Sequence, residues 1–251
     1  MRRDAIGAAH TLLDVGCGCG WSSYCFARVG YETTGIDLNP VAFEPPSLPN
    51  LRLQEGSALN LPFRNETFDV VVSYQCLEHV PDPKLALDEM VRVTKPGGMV
   101  CVVGPNLLSP LLPLRFLALD ALNRKLQFRR VAETPKHPYG NTAQEYLTSL
   151  VSVIYRLAKK ILNSEPTFNM RVPDMVPPFL GDNDACYLCT PLDLVHFFER
   201  QRCRVVQNGK HGRPPGSSLF AGGTWVAAEK NRELGPKEEK RIKRMASLGA
   251  T

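Results

Sequence analysis

The sequence predicts an α/β fold built on a doubly wound sheet of seven strands, mostly parallel, with an antiparallel last strand. Short apolar runs of strand length alternate with stretches of helical periodicity. The first apolar run leads into a glycine-rich turn within residues 12–20, and the second ends in the carboxylate of Asp37. This order of strand, glycine turn, helix, strand and carboxylate is typical of the first half of a nucleotide-binding domain.

The predicted elements follow one another at short spacing. Strands are predicted at 11–15, 32–37, 51–55, 68–73 and 98–104, and helices at 21–29 and 84–93. Apolar runs such as residues 70–72 fit strands that are buried on both faces, as a parallel sheet requires. After a long interruption the pattern resumes with a helix at 191–201 and strands at 203–207 and 224–228, which we expect to close the sheet as an antiparallel hairpin.

The chain is predicted to have four parts. We assign residues 1–105 to the ligand-binding core, 106–185 to a mainly helical insertion, 186–229 to the C-terminal part of the core, and 230–251 to a flexible basic tail. The insertion is too long for an ordinary connection, which favours a function for it. Because it follows the fifth strand at the edge where ligands bind, we expect it to cap and select the substrate.

The clearest helix of the insertion is predicted at 143–162. Its apolar residues recur at helical spacing: Leu147, Leu150, Val151, Ile154, Leu157, Ala158 and Ile161. We expect this stripe to pack on the core as a lid. A contact with a membrane surface or a lipid tail is the alternative.

The glycine turn indicates which nucleotide is bound. Glycines at 16 and 18 lack the Cβ atoms that would keep a ligand away from the backbone. Asp37 lies twenty-one residues after Gly16, where it can accept hydrogen bonds from both ribose hydroxyls of an adenosine. Asp14, just before the turn, would repel a pyrophosphate but attract the α-ammonium of an amino acid. Since Trp21 also replaces the third glycine of the dinucleotide fingerprint, the pattern favours S-adenosylmethionine over NAD.

Several blocks together carry a family resemblance: residues 12–20, 35–37, 56–63, 68–73, 77–80 and 92–98. In this order they resemble class I S-adenosylmethionine-dependent methyltransferases, nearest to the type 11 subgroup that includes the ubiquinone and menaquinone biosynthesis enzymes. The resemblance covers positions 10–105 well and 190–229 loosely. It implies a Rossmann-like fold, S-adenosylmethionine as cofactor, and methyl transfer to an O, N or C nucleophile of a small molecule, lipid or glycan intermediate.

The resemblance also implies roles for individual residues. Asp14 and the loop of Gly16, Cys17 and Gly18 would hold the methionine moiety, Asp37 the ribose, and Leu38, Ser57 and Ala58 the adenine, with Tyr74 and Gln75 lining the methionine side. Relatives usually have Asp where this chain has Ser57. A serine hydroxyl still accepts a hydrogen bond but is neutral and shorter, so we expect weaker cofactor binding.

His79 is the candidate catalytic residue. It follows Glu78 just after the fourth strand, near where a methyl acceptor would lie, and could take a proton from it; a structural hydrogen-bonding role is the alternative. Two other functions stay open at this point. One is a catalytically silent adenosyl-binding protein, suggested by Ser57, and the other is an NAD-dependent oxidoreductase, against which the missing third glycine argues.

The eight cysteines favour free thiols in a reducing compartment over disulfides. We expect Cys25, Cys76, Cys101 and Cys203 to be small buried hydrophobic residues. The sequence spaces one further pair, Cys186 and Cys189, like metal ligands, but we expect no metal site.

The net charge of +5 is concentrated in the insertion and the tail. Residues 230–251 hold seven Lys or Arg against three Glu, without interleaved aromatic residues, so we expect no nucleic-acid partner. No apolar run reaches the length of a membrane span, and no signal-peptide core precedes the first strand. These features predict a cytoplasmic enzyme and leave peripheral membrane contact open.

Overall fold

The computed structural model describes residues 10–38, 46, 48–106, 109, 111, 114, 118, 142–162, 166, 169–170, 187–188, 190–208 and 223–231. The strands are β1 Thr11–Val15, β2 Glu32–Asp37, β3 Leu51–Glu55, β4 Phe68–Tyr74, β5 Thr94–Pro105, β6 Asn169–Met170, β7 Tyr187–Leu188, β8 Cys203–Asn208 and β9 Gly223–Lys230. The helices are α1 Trp21–Arg28, α2 Pro83–Val93, α3 Ala143–Leu162 and α4 Pro191–Arg200, with a 3₁₀ turn at Leu77–His79.

Seven strands form one sheet in the order β3-β2-β1-β4-β5-β9-β8. The pairs among β1 to β5 are parallel, and β9 runs antiparallel to both of its neighbours. The predicted fold class is therefore confirmed. The strand order reverses between β2 and β4, which lie on opposite sides of β1, and ligands of open α/β sheets bind at such a reversal.

Helices cover both faces of the sheet. On one face, Leu13 and Val15 of β1 share a buried core with residues of α2 and α4, among them Met90 and Phe197. On the other face, Leu12 packs in a smaller cluster with Phe26 of α1 and residues of β4 and β5. Because successive side chains of a strand point to opposite faces, β1 contributes to both clusters and is almost fully buried.

One cysteine prediction is wrong. Cys203 is buried, and Cys76 and Cys101 are half-buried, but Cys25 is exposed. The inner face of α1 is formed by Ser23 and Ala27, so Cys25 points away from the sheet. Cys186 and Cys189 lie outside the described residues.

Strand β5 begins four residues earlier than predicted, and the pairing with β4 explains why. Phe68 pairs with Thr94, whereas Val70 pairs with Met99, so the intervening residues of β5 bulge out of the ladder. Gly97 has a φ of +79° in this bulge. A Cβ on Gly98 would lie 2.7 Å from the carbonyl oxygen of Asp69, which leaves glycine as the residue that fits without displacement.

Helix α2 also holds the turn at residues 61–63. Nη1 of Arg92 donates to the carbonyl oxygen of Phe63 at 2.8 Å, and Nη2 donates to that of Leu61 at 3.0 Å. The carboxylate of Glu89 accepts from Nε of Arg92 and from the backbone N–H of Leu61. Charged hydrogen bonds of this kind are strong, so the turn at residues 61–63 and the C-terminal end of α2 stabilise each other.

Helix α3 has the predicted bounds, but its predicted orientation is wrong. Its buried side chains are Tyr146, Val153, Leu157 and Lys160. Of the stripe expected to face the core, Leu157 is buried and Leu150 half-buried, whereas Leu147, Val151, Ile154, Ala158 and Ile161 are exposed.

A buried ion pair accounts for this orientation. The Nζ atom of Lys160 lies 2.5 Å and 2.6 Å from the two carboxylate oxygens of Asp193 in α4. The same carboxylate accepts from the backbone N–H and the hydroxyl of Thr190, in the capping box that begins α4. Rotating α3 to bury the predicted stripe would separate Lys160 from Asp193, and separating a buried ion pair is strongly destabilising.

Most of the predicted cap and of the basic tail lies outside the described residues. Within the predicted cap the structure describes α3 and the two-residue strand β6, which pairs in antiparallel fashion with β7 just after the cap; the sequence analysis predicted neither strand. Among the described residues, no helix has both the length and the apolar composition needed to cross a bilayer.

Candidate functional site

The glycine turn follows β1 and is held against the end of β2. The backbone N–H groups of Gly16 and Cys17 both donate to the carbonyl oxygen of Ile36, at 2.8 Å and 3.1 Å. Gly16 has a φ of +75°, and a Cβ there would lie 2.0 Å from Sγ of Cys76. Position 16 therefore requires glycine both for its backbone conformation and for the packing of β1 against the segment after β4.

Gly18 has a different environment. Its φ is +52°, and a Cβ there would meet no atom of the protein within 4 Å. Its backbone N–H donates to Oδ2 of Asp37 at 2.8 Å. The fold thus brings the predicted loop and the predicted ribose-binding carboxylate into direct contact, beside a position where a ligand can approach the backbone.

Asp14 lies directly beneath this loop and is completely buried. Its Oδ2 accepts hydrogen bonds of 2.6 Å from the hydroxyls of both Ser22 and Ser23, while its Oδ1 has no hydrogen-bond partner among the described residues. Burial raises the pKa of this carboxyl, the two serine bonds oppose the shift, and the negative charge of Asp37 adds to it. A buried carboxylate with one unused oxygen is suited to accept a hydrogen bond from a cation.

The two serines were missed by the sequence analysis. They occupy the first turn of α1, eight and nine residues after Asp14. A Cβ on Gly35, which pairs with Asp14 across the sheet, would lie 2.5 Å from Oγ of Ser23. Small residues at 22, 23 and 35 were the available signal, because only such residues fit around a buried carboxylate.

Three predicted cofactor residues lie around the same edge of the sheet. Leu38 follows Asp37 directly and is 68% exposed, and Tyr74 at the end of β4 is 56% exposed. Ala58 is half-buried in the turn after β3. Because the carboxyl ends of neighbouring parallel strands meet at one edge, these residues frame the glycine turn.

Ser57 shapes the turn after β3. Its Oγ accepts from the backbone N–H of Leu59 at 3.2 Å, and its carbonyl oxygen accepts from Asn60. A hydroxyl oxygen has two lone pairs, so one acceptor position of Ser57 remains for a further hydrogen bond.

The segment after β4 contains Gln75 and the candidate base His79. Gln75 has a φ of +52°, and its backbone N–H donates to the carbonyl oxygen of Val103 at 2.7 Å, which turns the chain sharply at the sheet edge. Glu78 is buried. The Nε2 atom of His79 lies 3.8 Å from Oε1 of Glu78, and the imidazole is partly exposed. The carboxylate of Glu78 therefore lies close to Nε2 of His79, and Nδ1 of the imidazole is buried.

Two thiols near the site, those of Cys17 and Cys76, are not nucleophiles at neutral pH. Burial, helped by the charges of Asp14 and Asp37, raises the pKa of Cys17 to about 12. Burial and the charge of Glu78 raise the pKa of Cys76 to about 12 as well. A thiol must ionise to attack, so both remain protonated packing groups. The described residues include no cluster of three or more potential metal ligands.

The donor and acceptor set fits an adenosyl amino acid. Asp14 offers a buried acceptor for an ammonium, Gly18 leaves room at the backbone, and Asp37 offers a carboxylate for ribose hydroxyls. A pyrophosphate would meet the charges of two carboxylates instead.

Comparison with known proteins agrees with this chemistry. Residues 13–102 match the family described as methyltransferase domain. The chain is 34% identical over 139 residues to an uncharacterized methyltransferase of Mycobacterium sp. (strain JLS), covering 53% of this chain and 55% of that protein. It is 41% identical over 122 residues to demethylmenaquinone methyltransferase of Staphylococcus aureus, covering 45% of this chain and 50% of that protein.

A third relative is 2-methyl-6-phytyl-1,4-hydroquinone methyltransferase of Synechocystis sp., 36% identical over 110 residues, which cover 41% of this chain and 34% of that protein. The chain thus matches about half the length of these curated relatives, or less.

Solved structures show the same fold. An S-adenosylmethionine-dependent methyltransferase of Mesorhizobium loti superposes with a TM-score of 0.55 at 13% identity, covering 88% of this chain and 91% of that one. One from Methanosarcina mazei gives a TM-score of 0.53 at 21% identity, covering 92% and 96%. Residues 13–102 are thus similar to the methyltransferase-domain family, and the chain has the fold of S-adenosylmethionine-dependent methyltransferases.

Proposed function

We propose that this chain binds S-adenosylmethionine at the carboxyl ends of β1, β2 and β4 and transfers its methyl group to an O, N or C nucleophile of a small molecule, lipid or glycan intermediate. The observation that carries the proposal is the Asp14 carboxylate, which is buried beneath the glycine turn with one oxygen bonded by two serines and the other without a hydrogen-bond partner among the described residues.

Asp14 binds the α-ammonium of the methionine moiety. Burial disfavours the ionised form of Asp14 and raises its pKa. A cation at Oδ1 offsets this cost, because an opposite charge favours the ionised carboxylate. Ser22 and Ser23 hold the side chain in place, so the carboxylate is already oriented before the ligand arrives.

Asp37 binds the ribose, and the turn after β3 binds the base. The carboxylate of Asp37 accepts hydrogen bonds from the ribose hydroxyls in addition to the one from Gly18. Leu38 covers one face of the adenine, and Ser57 accepts a hydrogen bond from its amino group, with Ala58 alongside. The backbone next to Tyr74 and Gln75 lines the methionine side.

The cofactor, when bound, supplies an electrophilic methyl group on a sulfonium whose departing sulfide is neutral. The protein therefore contributes mainly by orienting methyl and acceptor, which can lower a barrier by several kcal/mol. His79 lies at the same edge and takes the proton of a hydroxyl or amine acceptor. Replacing His79 by Gln is then expected to leave cofactor affinity unchanged and to slow turnover by about 100-fold.

The names of two relatives guide the choice of acceptor. They refer to demethylmenaquinone and to 2-methyl-6-phytyl-1,4-hydroquinone. An acceptor screen should therefore begin with quinols that carry an apolar chain and continue with glycan intermediates.

Calorimetric titration with S-adenosylmethionine, S-adenosylhomocysteine and NAD tests the proposal. We expect micromolar binding of both adenosyl ligands and none of NAD. Asp37→Ala should weaken adenosyl binding by at least about tenfold, through loss of charged hydrogen bonds. Glu199→Gln is the matched control, because it removes one exposed carboxylate from the far end of α4.

Each result separates one alternative. Binding of NAD alone would identify an oxidoreductase, and binding of no ligand would contradict the proposed site. Adenosyl binding without methyl transfer to any acceptor would indicate a catalytically silent relative.

A further inference from the structure

Helix α3 exposes a continuous apolar surface, which we call the outer stripe. It consists of Leu147, Val151, Ile154, Tyr155, Ala158, Ile161 and Leu162. Residues three and four apart lie on one face of a helix, so these side chains form a single row. The row covers sixteen residues, which corresponds to roughly 22 Å of helix.

The outer stripe points away from the core. The buried ion pair between Lys160 and Asp193 holds the neighbouring face of the helix against α4. Val151 is 68% exposed, Tyr155 69% and Leu162 83%. Single exposed apolar residues are common, but a contiguous row of large ones marks a binding surface.

The charges beside the stripe have one sign. Arg156 and Lys159 are exposed near the C-terminal end of the helix. Glu145 is the acidic residue of α3; it accepts from the backbone N–H of Thr142 at 3.0 Å in the first turn. It lies fourteen residues before Lys159, or about 21 Å along the axis, too far to pair with it.

We propose that the outer stripe is a membrane-docking surface, which lies flat on anionic lipid with its apolar side chains in the upper acyl region. Lys159, at the edge of the stripe, reaches the headgroup phosphates, since long basic side chains can extend to charged groups at an interface, and Arg156 adds positive charge on the adjoining face. Two cations with no carboxylate near them on the same helix favour this partner. A second copy of the helix would bring four cations to the rim of an interface whose helices offer no nearby carboxylates.

The proposed membrane docking does not require catalysis. Helix α3 belongs to the insertion that follows β5, and the surface would hold the chain at a lipid interface whatever the acceptor. Lipid binding can therefore be measured separately from cofactor binding and methyl transfer.

Sedimentation with vesicles tests the proposal on the full chain. Vesicles of equal phosphatidylcholine and phosphatidylglycerol are compared with phosphatidylcholine alone. The test variant is Val151→Glu with Ile154→Glu, two changes within the stripe. The control is Thr148→Glu with Ser152→Glu, which adds the same charge to the polar flank of the same helix and leaves the basic tail unchanged.

We expect the wild type to bind the anionic vesicles, the control to retain most of that binding, and the stripe variant to bind at least about tenfold more weakly. Glutamate is a better helix former than Val or Ile, so the melting temperature of the stripe variant should not fall. Equal loss in both variants would show that only charge matters and would overturn the proposal, as would the absence of vesicle binding.

Two further results would also overturn it. A melting temperature lower by several degrees in the stripe variant alone would show that another part of the chain covers the stripe. A wild-type dimer that the stripe variant converts to a monomer, measured by light scattering, would identify a second copy as the partner.

Discussion

The two edges of the central sheet each contain an aspartate near a strand end, and the two aspartates differ in their hydrogen-bond partners. At the amino edge, Asp69 near the start of β4 accepts from the backbone N–H of Thr11 at 2.9 Å, from its hydroxyl at 2.8 Å, and from Nζ of Lys95 at 3.0 Å. At the carboxyl edge, Asp14 near the end of β1 has two serine donors on one oxygen and none on the other among the described residues.

The pKa values follow this difference. Burial acts to raise the pKa of Asp69, but the hydrogen bonds from Thr11 and the hydrogen bond and charge of Lys95 together lower it. Burial raises the pKa of Asp14, and no cation among the described residues lowers it. The protein itself supplies the hydrogen-bond and charge partners of Asp69 at the amino edge, whereas we propose that a cationic ligand supplies the missing partner of Asp14 at the carboxyl edge.

The largest expected effect is that replacing Asp14 changes cofactor affinity, whereas replacing Asp69 changes stability. Asp14→Asn should weaken S-adenosylmethionine binding by about 100-fold, because a neutral amide replaces the carboxylate that pairs with the ammonium. Without ligand its stability should equal or exceed that of the wild type, since a buried charge is removed. Asp69→Asn should instead leave affinity unchanged and cost about 1–3 kcal/mol of unfolding free energy. Calorimetry and urea denaturation measure both; weakened binding in Asp69→Asn but not in Asp14→Asn would contradict the comparison.

Gly98 at the amino edge and Gly18 at the carboxyl edge differ in the space that surrounds them. A Cβ on Gly98, at the amino edge, would lie 2.7 Å and 2.9 Å from two carbonyl oxygens, whereas one on Gly18 would meet no protein atom. Gly98→Ala should cost about 2–4 kcal/mol of unfolding free energy through overpacking, with cofactor affinity retained in the folded fraction. Gly18→Ala should cost only about 1 kcal/mol, from its positive φ, but reduce affinity. Equal unfolding free energies for the two variants would show that the Gly98 site can relax.

A third prediction concerns Ser57, the hydrogen-bond acceptor in the turn after β3, and tests cofactor binding at the carboxyl edge. Ser57→Asp adds a charged acceptor where the adenine amino group is proposed to bind. Affinity for S-adenosylmethionine should rise by about three- to tenfold, since hydrogen bonds to charged groups are stronger. Asn60→Asp, which changes charge in the same turn, is the control. Unchanged affinity in Ser57→Asp would place the adenine elsewhere.

The smallest effect is the pH dependence, where the two aspartates should act with opposite sign. The raised native pKa of Asp14 means that its penalty to stability appears as pH rises above the ordinary value of 3.8, so the advantage of Asp14→Asn should grow as pH rises above 3.8 and shrink on acidification toward 3.8. The lowered native pKa of Asp69 means that its contribution is present above 3.8 and is lost below it, where the deficit of Asp69→Asn should disappear. Urea titrations across this range measure both trends, and parallel trends would be inconsistent with them.

Much of the fold could be predicted because its signals are local. The bounds of β1 to β3 agree with the prediction, and α1 and α2 differ from it by one residue. Buried parallel strands are short continuous apolar runs, and the glycine turn has a fixed length, so both are visible in a short stretch of sequence. The roles of Asp14, Asp37, Leu38, Ser57 and His79 remain predictions, which the titrations above would test.

The features that were missed depend on residues far apart in sequence. The serines that hold Asp14 are distinctive only once α1 lies beside β1, and the early start of β5 follows from a register shift against β4. Cys25 was predicted to be buried as a small hydrophobic residue, but Ser23 and Ala27 form the inner face of α1.

The sequence by itself determined the order of strands and helices, the glycine turn and the pair of carboxylates at 14 and 37, because each depends on residue types at short spacing. Only the tertiary structure decided which face of α3 is buried. The periodic pattern of that helix has two apolar faces, and the ion pair of Lys160 with Asp193, thirty-three residues away, turns one inward and leaves the other exposed. A buried charge must find its partner, and the position of that partner is a property of the folded chain.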